Sequence, residues 1–517
     1  MRHTRNGARR VKDAANYRNI PVRSTLHDEL LEREVFKDDV YLGSTLITVL
    51  GKRGSLQRAQ EVFNALPSQD VVSWTALIAG YAQNGKGNEA LLYFYKMQKE
   101  GLFPNATTFS CVLRACGSVR ALDHGRTIHA EIARRELLCQ DAVLGNALID
   151  MYAKCGAFAW AWETLDELID RDVVCWTSLI SGYCQWGFEE GALHCFEKMQ
   201  REGISPNAVT YACMLQACGN MQERDKGSEL HTEIVQKGLL ERDAILGNAL
   251  VDMYAKCGAL AKAKDVFDKL SVRDIVSWTS LITGYVKSGC SEEALKHFDQ
   301  MKSEGLLPNA VTLLCILQVC GDIGAAKLGE LIHAEIIKGG LQGMENTLET
   351  ALVDMYAKCA VLTKAKKVFY ELPLRNVVSW TSLMSGYTQA GRQDLVFDSF
   401  RSMMQEGVAP NLVTFMILLA SCSCSGLVSE GETYFEKMSA SFGIIPSLEH
   451  HTCMVDLFGR AGHFDKALEA IIKMPSSDHL PAWFALLNAC QKWGNTEIGN
   501  WAYKNAVRCS SLSAAVS

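Results

Sequence analysis

The sequence predicts an all-α chain, a right-handed α-solenoid superhelix of about 14 helix–turn–helix repeats along 517 residues. Three observations predict it. A Trp-Thr pair recurs at Trp74, Trp176, Trp278 and Trp380, each 102 residues apart, inside the strings VVSWTALIAGY, VVCWTSLISGY, IVSWTSLITGY and VVSWTSLMSGY. A period held without slippage means tandem duplication of one unit, not a single globular core. The chain is also longer than one hydrophobic core usually supports. Its 48% hydrophobic content with only 10 Pro fits an ordered, helix-rich chain.

Each period divides into three units of 35, 36 and 31 residues. The standard unit spans Val71–Asn105, with copies at Val173–Asn207, Ile275–Asn309 and Val377–Asn411. Its first helix stops at Asn84-Gly85, and its second carries Ala90, Leu91, Phe94 and Met97 on one face before Gly101 and Pro104 end it. The long unit spans Ala106–Asp141, Ala208–Asp243 and Ala310–Glu345; the short unit spans Ala142–Asp172, Ala244–Asp274 and Asn346–Asn376. Helix pairs this short cannot bury their apolar stripe alone, so neighbours must stack, with the first helices lining the inner surface.

The resulting division is a basic segment at 1–26, partial long and short repeats at 27–70, and triplets at 71–172, 173–274, 275–376 and 377–479, with an extension at 480–517. The first 26 residues hold seven basic residues and one acid, a composition that fits either a transit peptide or a decayed repeat. The uncharged stretch from Gly407 to Ser429 contains Pro410, Asn411 and several Ser, so it reads as a buried helix and no membrane span is expected. The 19 Cys recur at repeat positions such as Cys116, Cys218 and Cys320, which suits packing in a reducing compartment.

The triplet lengths, with the SWTSLISGY, DMYAKCG and GxxIHAEI strings, give the chain a close resemblance to plant pentatricopeptide repeat (PPR) proteins of the subclass that alternates standard, long and short repeats. The resemblance covers roughly residues 27–513. Leu480 to about Ser513 resembles the extension motif of RNA-editing members, and the second extension motif and deaminase domain common in that subclass are not found in this sequence. The resemblance implies one base read per repeat through two or three side chains.

Carried onto this sequence, the base-reading pairs are Thr75/Asn105, Thr177/Asn207, Thr279/Asn309 and Thr381/Asn411 in standard repeats. In short repeats they are Ser44/Asp70, Asn146/Asp172, Asn248/Asp274 and Thr350/Asn376. Val72, Val174, Val276 and Val378 would stack on bases. By the family code, Thr/Asn implies A, Asn/Asp implies U and Ser/Asp implies G. With long repeats left blank, the ligand reads 5′ to 3′ as G-A-n-U-A-n-U-A-n-A-A. Thr and Asn serving only as helix formers and caps is the rival reading.

Net charge is −6, and −12 without the N-terminal segment, which is awkward for binding phosphates. Lys52, Lys154, Lys256 and Lys358, with Arg460, occupy the thirteenth position of short repeats, about 80° round the helix from the fifth, where they could track a phosphate backbone. Lysines complementing the helix dipole is the alternative.

His129-Ala-Glu131, His231-Thr-Glu233, His333-Ala-Glu335 and His27-Asp-Glu29 match half of a zinc-deaminase signature, yet no two Cys stand three apart to complete it. They are expected to pack, as are His450, His451 and Cys453. No catalytic residue, metal, cofactor or small-molecule substrate is expected. The resemblance implies a single-stranded RNA-binding recognition factor for C-to-U editing in a mitochondrion or chloroplast. The edited C would lie four nucleotides beyond the base facing Leu448–His479. A deaminase-bearing PPR protein or another editing factor would act in trans, docked at Leu480–Ser513. Organellar RNA stabilisation or splicing, a tetratricopeptide-like protein scaffold and a shortened gene product are the other readings.

Overall fold

The computed structural model describes residues 40–516 except 139–141, 241–243, 341–345 and 475–478, with side chains described through Cys509. Residues 1–26 and His27-Asp-Glu29 lie outside the described residues. Among the described residues there are 28 helices and no strand. They fall into two compact units, one closing at Val272 and the other opening at Arg273. Each unit is a stack of seven helical hairpins.

The first unit opens with the pair Val40–Lys52 and Leu56–Asn64 and ends with Ala244–Lys256 and Leu260–Lys269. The second runs from Ile275–Lys287 and Ser291–Ser303 to Leu480–Trp493 and Thr496–Val516. No described helix is long and apolar enough to cross a membrane. The stretch within Gly407–Ser429 holds an ordinary repeat helix, Leu412–Ser425.

Local sequence explains where helices begin and end. Asp70, Asn105, Asp172, Asn207, Asp274, Asn309, Asn376 and Asn411 are all N-caps in extended backbone, and each side chain accepts the amide of the third helical residue. Such a cap satisfies one of the donors that a helix start leaves without partners. At the other end, Gly85 and Gly101 stand at φ 73° and 77°, the left-handed conformation that closes the two helices of a standard repeat.

Within each unit the first helix of a repeat packs on its own second helix and on the first helix of the next repeat, while second helices meet the next repeat mainly through its first helix. Small residues let the first helices approach closely. A Cβ built on Gly182 would lie 2.5 Å from the Ala153 Cβ, and one on Gly386 2.7 Å from the Ala357 Cβ. At Gly51 it would lie 2.9 Å from the Gly80 Cα. The signature Trp is the buried anchor between repeats. Trp74 meets Phe63 edge-on at 4.7 Å and Trp380 meets Phe369 at 4.6 Å, while Trp176 is set against Trp162 at 5.7 Å. Such ring pairs add to the area they bury.

The close approach yields a direct expectation. Gly182→Val forces a branched side chain onto the Ala153 backbone, so stability should fall by about 1–3 kcal/mol. A lowered urea midpoint reads this, and an unchanged midpoint would refute the contact.

Candidate nucleic-acid interface

The fifth-position hydroxyls are less open than expected. Ser44, Thr75, Thr177, Thr279, Thr350 and Thr381 are all buried, with Thr75, Thr177 and Thr279 each 8% exposed. In a helix interior a Thr hydroxyl bonds readily to the carbonyl one turn back. Thr75 Oγ1 lies 2.6 Å from the Val71 carbonyl oxygen, Thr177 from that of Val173 and Thr279 from that of Ile275 at the same distance. Ser44 and Thr350 bond the carbonyls of Val40 and Asn346 at 2.8 and 2.7 Å.

In standard repeats, the two members of a predicted pair meet through a third residue. Thr75 Oγ1 is 2.7 Å from Thr108 Oγ1, and Thr108 Oγ1 is 2.9 Å from Asn105 Oδ1. Thr177–Thr210–Asn207 repeats this at 2.7 and 3.0 Å, and Thr279–Thr312–Asn309 at 2.7 and 2.9 Å. The fourth copy differs. Thr381 bonds the carbonyls of Val377 and Val378 at 2.9 and 3.0 Å, while Thr414 bonds Asn411 Oδ1 at 3.0 Å.

One short repeat brings its pair together directly. Asn146 Nδ2 donates to both Asp172 carboxylate oxygens, at 3.3 and 3.1 Å, and Asp172 Oδ1 also caps Val174 and Cys175. Asp70 and Asn376 cap Ser73 and Ser379 at 2.8 and 2.9 Å. Asn248 is half-buried on its short repeat's first helix, and Asp274 caps the helix that begins at Ile275.

The capping bond fixes which way each Asn amide faces. The backbone N–H of Thr108 donates to Asn105 Oδ1 at 2.8 Å, and those of Thr210, Thr312 and Thr414 do the same for Asn207, Asn309 and Asn411. An N–H cannot accept, so Oδ1 must face the helix and Nδ2 faces away from it. No partner takes the Nδ2 of these four Asn among the described residues. Asn105 is exposed and the other three are half-buried.

The second residues form a longer row than the four valines singled out. Val72, Val174, Val276 and Val378 are 48–57% exposed, and Tyr41, Val143, Val209, Ile245, Val311 and Val413 stand exposed at the same position of six further repeats. The signal was present in the register, since each is the second residue of its unit.

Four of the five thirteenth-position cations are ion-paired along their own helix. Lys154 meets Asp150 at 2.7 Å, Lys256 meets Asp252 at 2.8 Å, Lys358 meets Asp354 at 3.0 Å and Arg460 meets Asp456 at 2.8 Å. Lys358 also reaches Asp322 at 3.2 Å. Where Lys52 stands, the residue a turn earlier is Thr48. A phosphate at these lysines must share a cation that already has a carboxylate.

The His-x-Glu strings serve packing. His129 Nδ1 bonds the Tyr152 hydroxyl at 2.8 Å, and His231–Tyr254 and His333–Tyr356 repeat the contact at 3.0 Å. Glu131, Glu233 and Glu335 pair with Arg135, Lys237 and Lys302. His450 bonds Ser447 Oγ through Nδ1 and the Leu412 carbonyl through Nε2, while His451 sets its ring edge-on to Phe435. Cys453 is half-buried and free. Among the described residues no group of three His, Cys, Asp or Glu could hold a metal.

Stacked hairpins that present the same side chains once per repeat define a helical-repeat protein. Models of the "PPR repeat family" match residues 69–118, 171–220, 273–322 and 375–424, and models of the "PPR repeat" match 146–173, 248–275, 413–441 and 449–479. A mitochondrial pentatricopeptide repeat-containing protein of Arabidopsis thaliana is 33% identical over 480 residues, covering 93% of this chain and 69% of that protein. A chloroplastic one from the same plant is 35% identical over 481 residues, 90% of this chain and 54% of its own length. The chain belongs to the pentatricopeptide repeat family. It spans between 52% and 76% of the length of eight curated relatives that it matches.

Among solved structures, the pentatricopeptide repeat protein PPR10 from maize superposes with a TM-score of 0.62 at 19% identity, over 94% of this chain and 82% of that one. The same maize protein in complex with an 18-nt psaJ RNA element superposes at 0.52 with 17% identity, over the same shares of the two chains. These likenesses concern the fold.

The three His–Tyr bonds lead to a pH expectation. Burial lowers the His129, His231 and His333 pKa values below the ordinary 6.5, so the unfolded chain binds protons more readily. Their contribution is complete above the unfolded value and is lost as pH falls from it through the folded values. Thermal unfolding between pH 7.5 and 5 should show stability falling, with a shallower fall in the triple His→Gln variant. Equal slopes would refute the assignment.

Proposed function

We propose that the chain is a sequence-specific single-stranded RNA-binding protein of a mitochondrion or chloroplast, acting as the recognition factor for C-to-U editing. The observation that carries the reading is the alternation locked to repeat type. Standard repeats pair Thr with a capping Asn, and two of the short repeats pair Asn with a capping Asp. Asn and Asp cap about equally well, so capping leaves the choice between them open. RNA recognition would use that choice.

In a standard repeat the outward Nδ2 is a donor, and the hydroxyl of the Thr, whose proton is held inside the protein, is an acceptor. That set complements the ring nitrogen and amino group of adenine. In the Asn146/Asp172 repeat the carboxylate accepts the uracil N3–H and the spare Asn146 N–H meets a carbonyl. The exposed second-position row supplies apolar faces, each worth less than the roughly 1–3 kcal/mol of an aromatic platform. Mitochondrial and chloroplastic relatives support an organellar address. The editing role and a deaminase-bearing partner in trans, docked at Leu480–Ser513, rest on the triplet and extension motifs.

A gel shift tests the readout. The chain should bind GAnUAnUAnAA more tightly than the same string with every A exchanged for G, and equal affinity would remove the claim. In the plant, loss of the chain should leave unedited one cytidine preceded by this string. Loss of transcript abundance with editing intact would instead favour a stabilising role.

The lysine row predicts a salt effect. Lys154→Gln combined with Lys256→Gln should weaken RNA binding and reduce the slope of log affinity against log salt by about 1.4, the share of two phosphate contacts on a single strand. An unchanged slope would place the RNA elsewhere.

A further inference from the structure

We propose that Thr108, Thr210 and Thr312 of the long repeats are positioning residues for base choice in the standard repeat that precedes each. The proposal rests on the reading of Thr75/Asn105, Thr177/Asn207 and Thr279/Asn309 as base-reading pairs. It assigns long repeats a part in recognition that their own fifth and last residues do not provide.

Each bridging Thr has no exposed surface, so no water competes for its hydroxyl. In the first copy three short contacts between oxygens run in series, from the Val71 carbonyl to Thr75 at 2.6 Å, to Thr108 at 2.7 Å and to Asn105 Oδ1 at 2.9 Å. The two hydroxyls bring two protons to three contacts. The Thr75 proton therefore goes either to the Val71 carbonyl or to Thr108, and in both arrangements it stays inside the protein. A base meets Thr75 as an acceptor only. Thr108 adds what the capping amide cannot: with the Thr75 proton on Thr108 and the Thr108 proton on Asn105 Oδ1, the two hydroxyls tie the Thr75 side chain to the Asn105 side chain across the repeat boundary. Acceptor and donor are thereby held at one separation, and discrimination between base edges depends on that separation.

The fourth standard repeat provides an internal control. Thr381 turns its hydroxyl to the carbonyls of Val377 and Val378 and makes no hydrogen bond to Thr414 among the described residues. Its reading pair is not tied together.

Fluorescence anisotropy with the eleven-nucleotide string tests this, using A or G at the position assigned to Val71–Asn105. Wild type should prefer A. Thr108→Val, close in shape, should lose about tenfold of that preference, the scale of one well-placed base contact. Thr108→Ser, which restores the hydroxyl, should keep it. U-to-C discrimination at the Ala142–Asp172 position should be unchanged, and Thr414→Val should leave base choice at Val377–Asn411 unaltered. If Thr108→Val folds poorly, Thr210→Val read at the Val173–Asn207 position gives the same comparison. A wild type without preference overturns the reading pairs themselves. A wild-type preference that survives in Thr108→Val, or a variant that weakens A and G strings equally with a lowered Tm, overturns the bridging role alone.

Discussion

The start of a helix leaves backbone amides without partners, and at eight repeat boundaries one side chain satisfies such an amide. Asp70, Asn105, Asp172, Asn207, Asp274, Asn309, Asn376 and Asn411 meet that demand from extended backbone. Losing a cap of this kind costs roughly 0.5–2 kcal/mol, so the position is restricted to a few short polar residues. The demand also sets geometry. An Oδ1 engaged by a backbone amide gives the rest of the side chain one direction, the same in each repeat. Within each unit, polar groups that recur in the same local orientation follow from helix capping before any ligand is considered.

Capping and recognition are therefore compatible uses of one residue. Asn spends its oxygen on the helix and keeps an NH2, whereas Asp spends one oxygen and keeps another acceptor. Exchanging them alters the outward chemistry with little change in the fold. The bridging threonines extend this economy across repeats. Thr108 and Thr210 each complete a capping box with their own N-cap while touching a hydroxyl 33 residues earlier in the chain.

Much of this was legible in the sequence, because the repeat boundaries are written in short-range signals. Helices begin at Val71, Ala106, Ala142 and Val173, where the repeat units begin, and Gly85 closes a helix where Asn84-Gly85 indicated. Contacts between repeats were not legible. That Thr75 would be buried against Thr108, or that His129 would find Tyr152, depends on how far one hairpin is rotated on the next, which no periodicity states. The lysine pairs are a different case. Asp150 and Lys154 are four apart on one helix, the spacing at which side chains meet, so their pairing was readable. The exposed second-position row was readable too, as Val143 and Ile245 share the register of Val72.

The charge pattern bears on how such a chain would hold RNA. With a net charge of −6 and its recurrent short-repeat lysines already facing aspartates, the protein offers a polyanion little general attraction. Non-specific binding to nucleic acid is mostly that attraction. An RNA ligand would then be retained chiefly by apolar contact with its bases and by hydrogen bonds to their edges. A wrong base would leave the Nδ2 donors of Asn105 or Asn207 without the acceptor that the matching base supplies. Ion-paired cations at these positions thus favour discrimination over adhesion, and the same ion pairs that weaken the protein's grip on arbitrary RNA raise the share of affinity that depends on sequence.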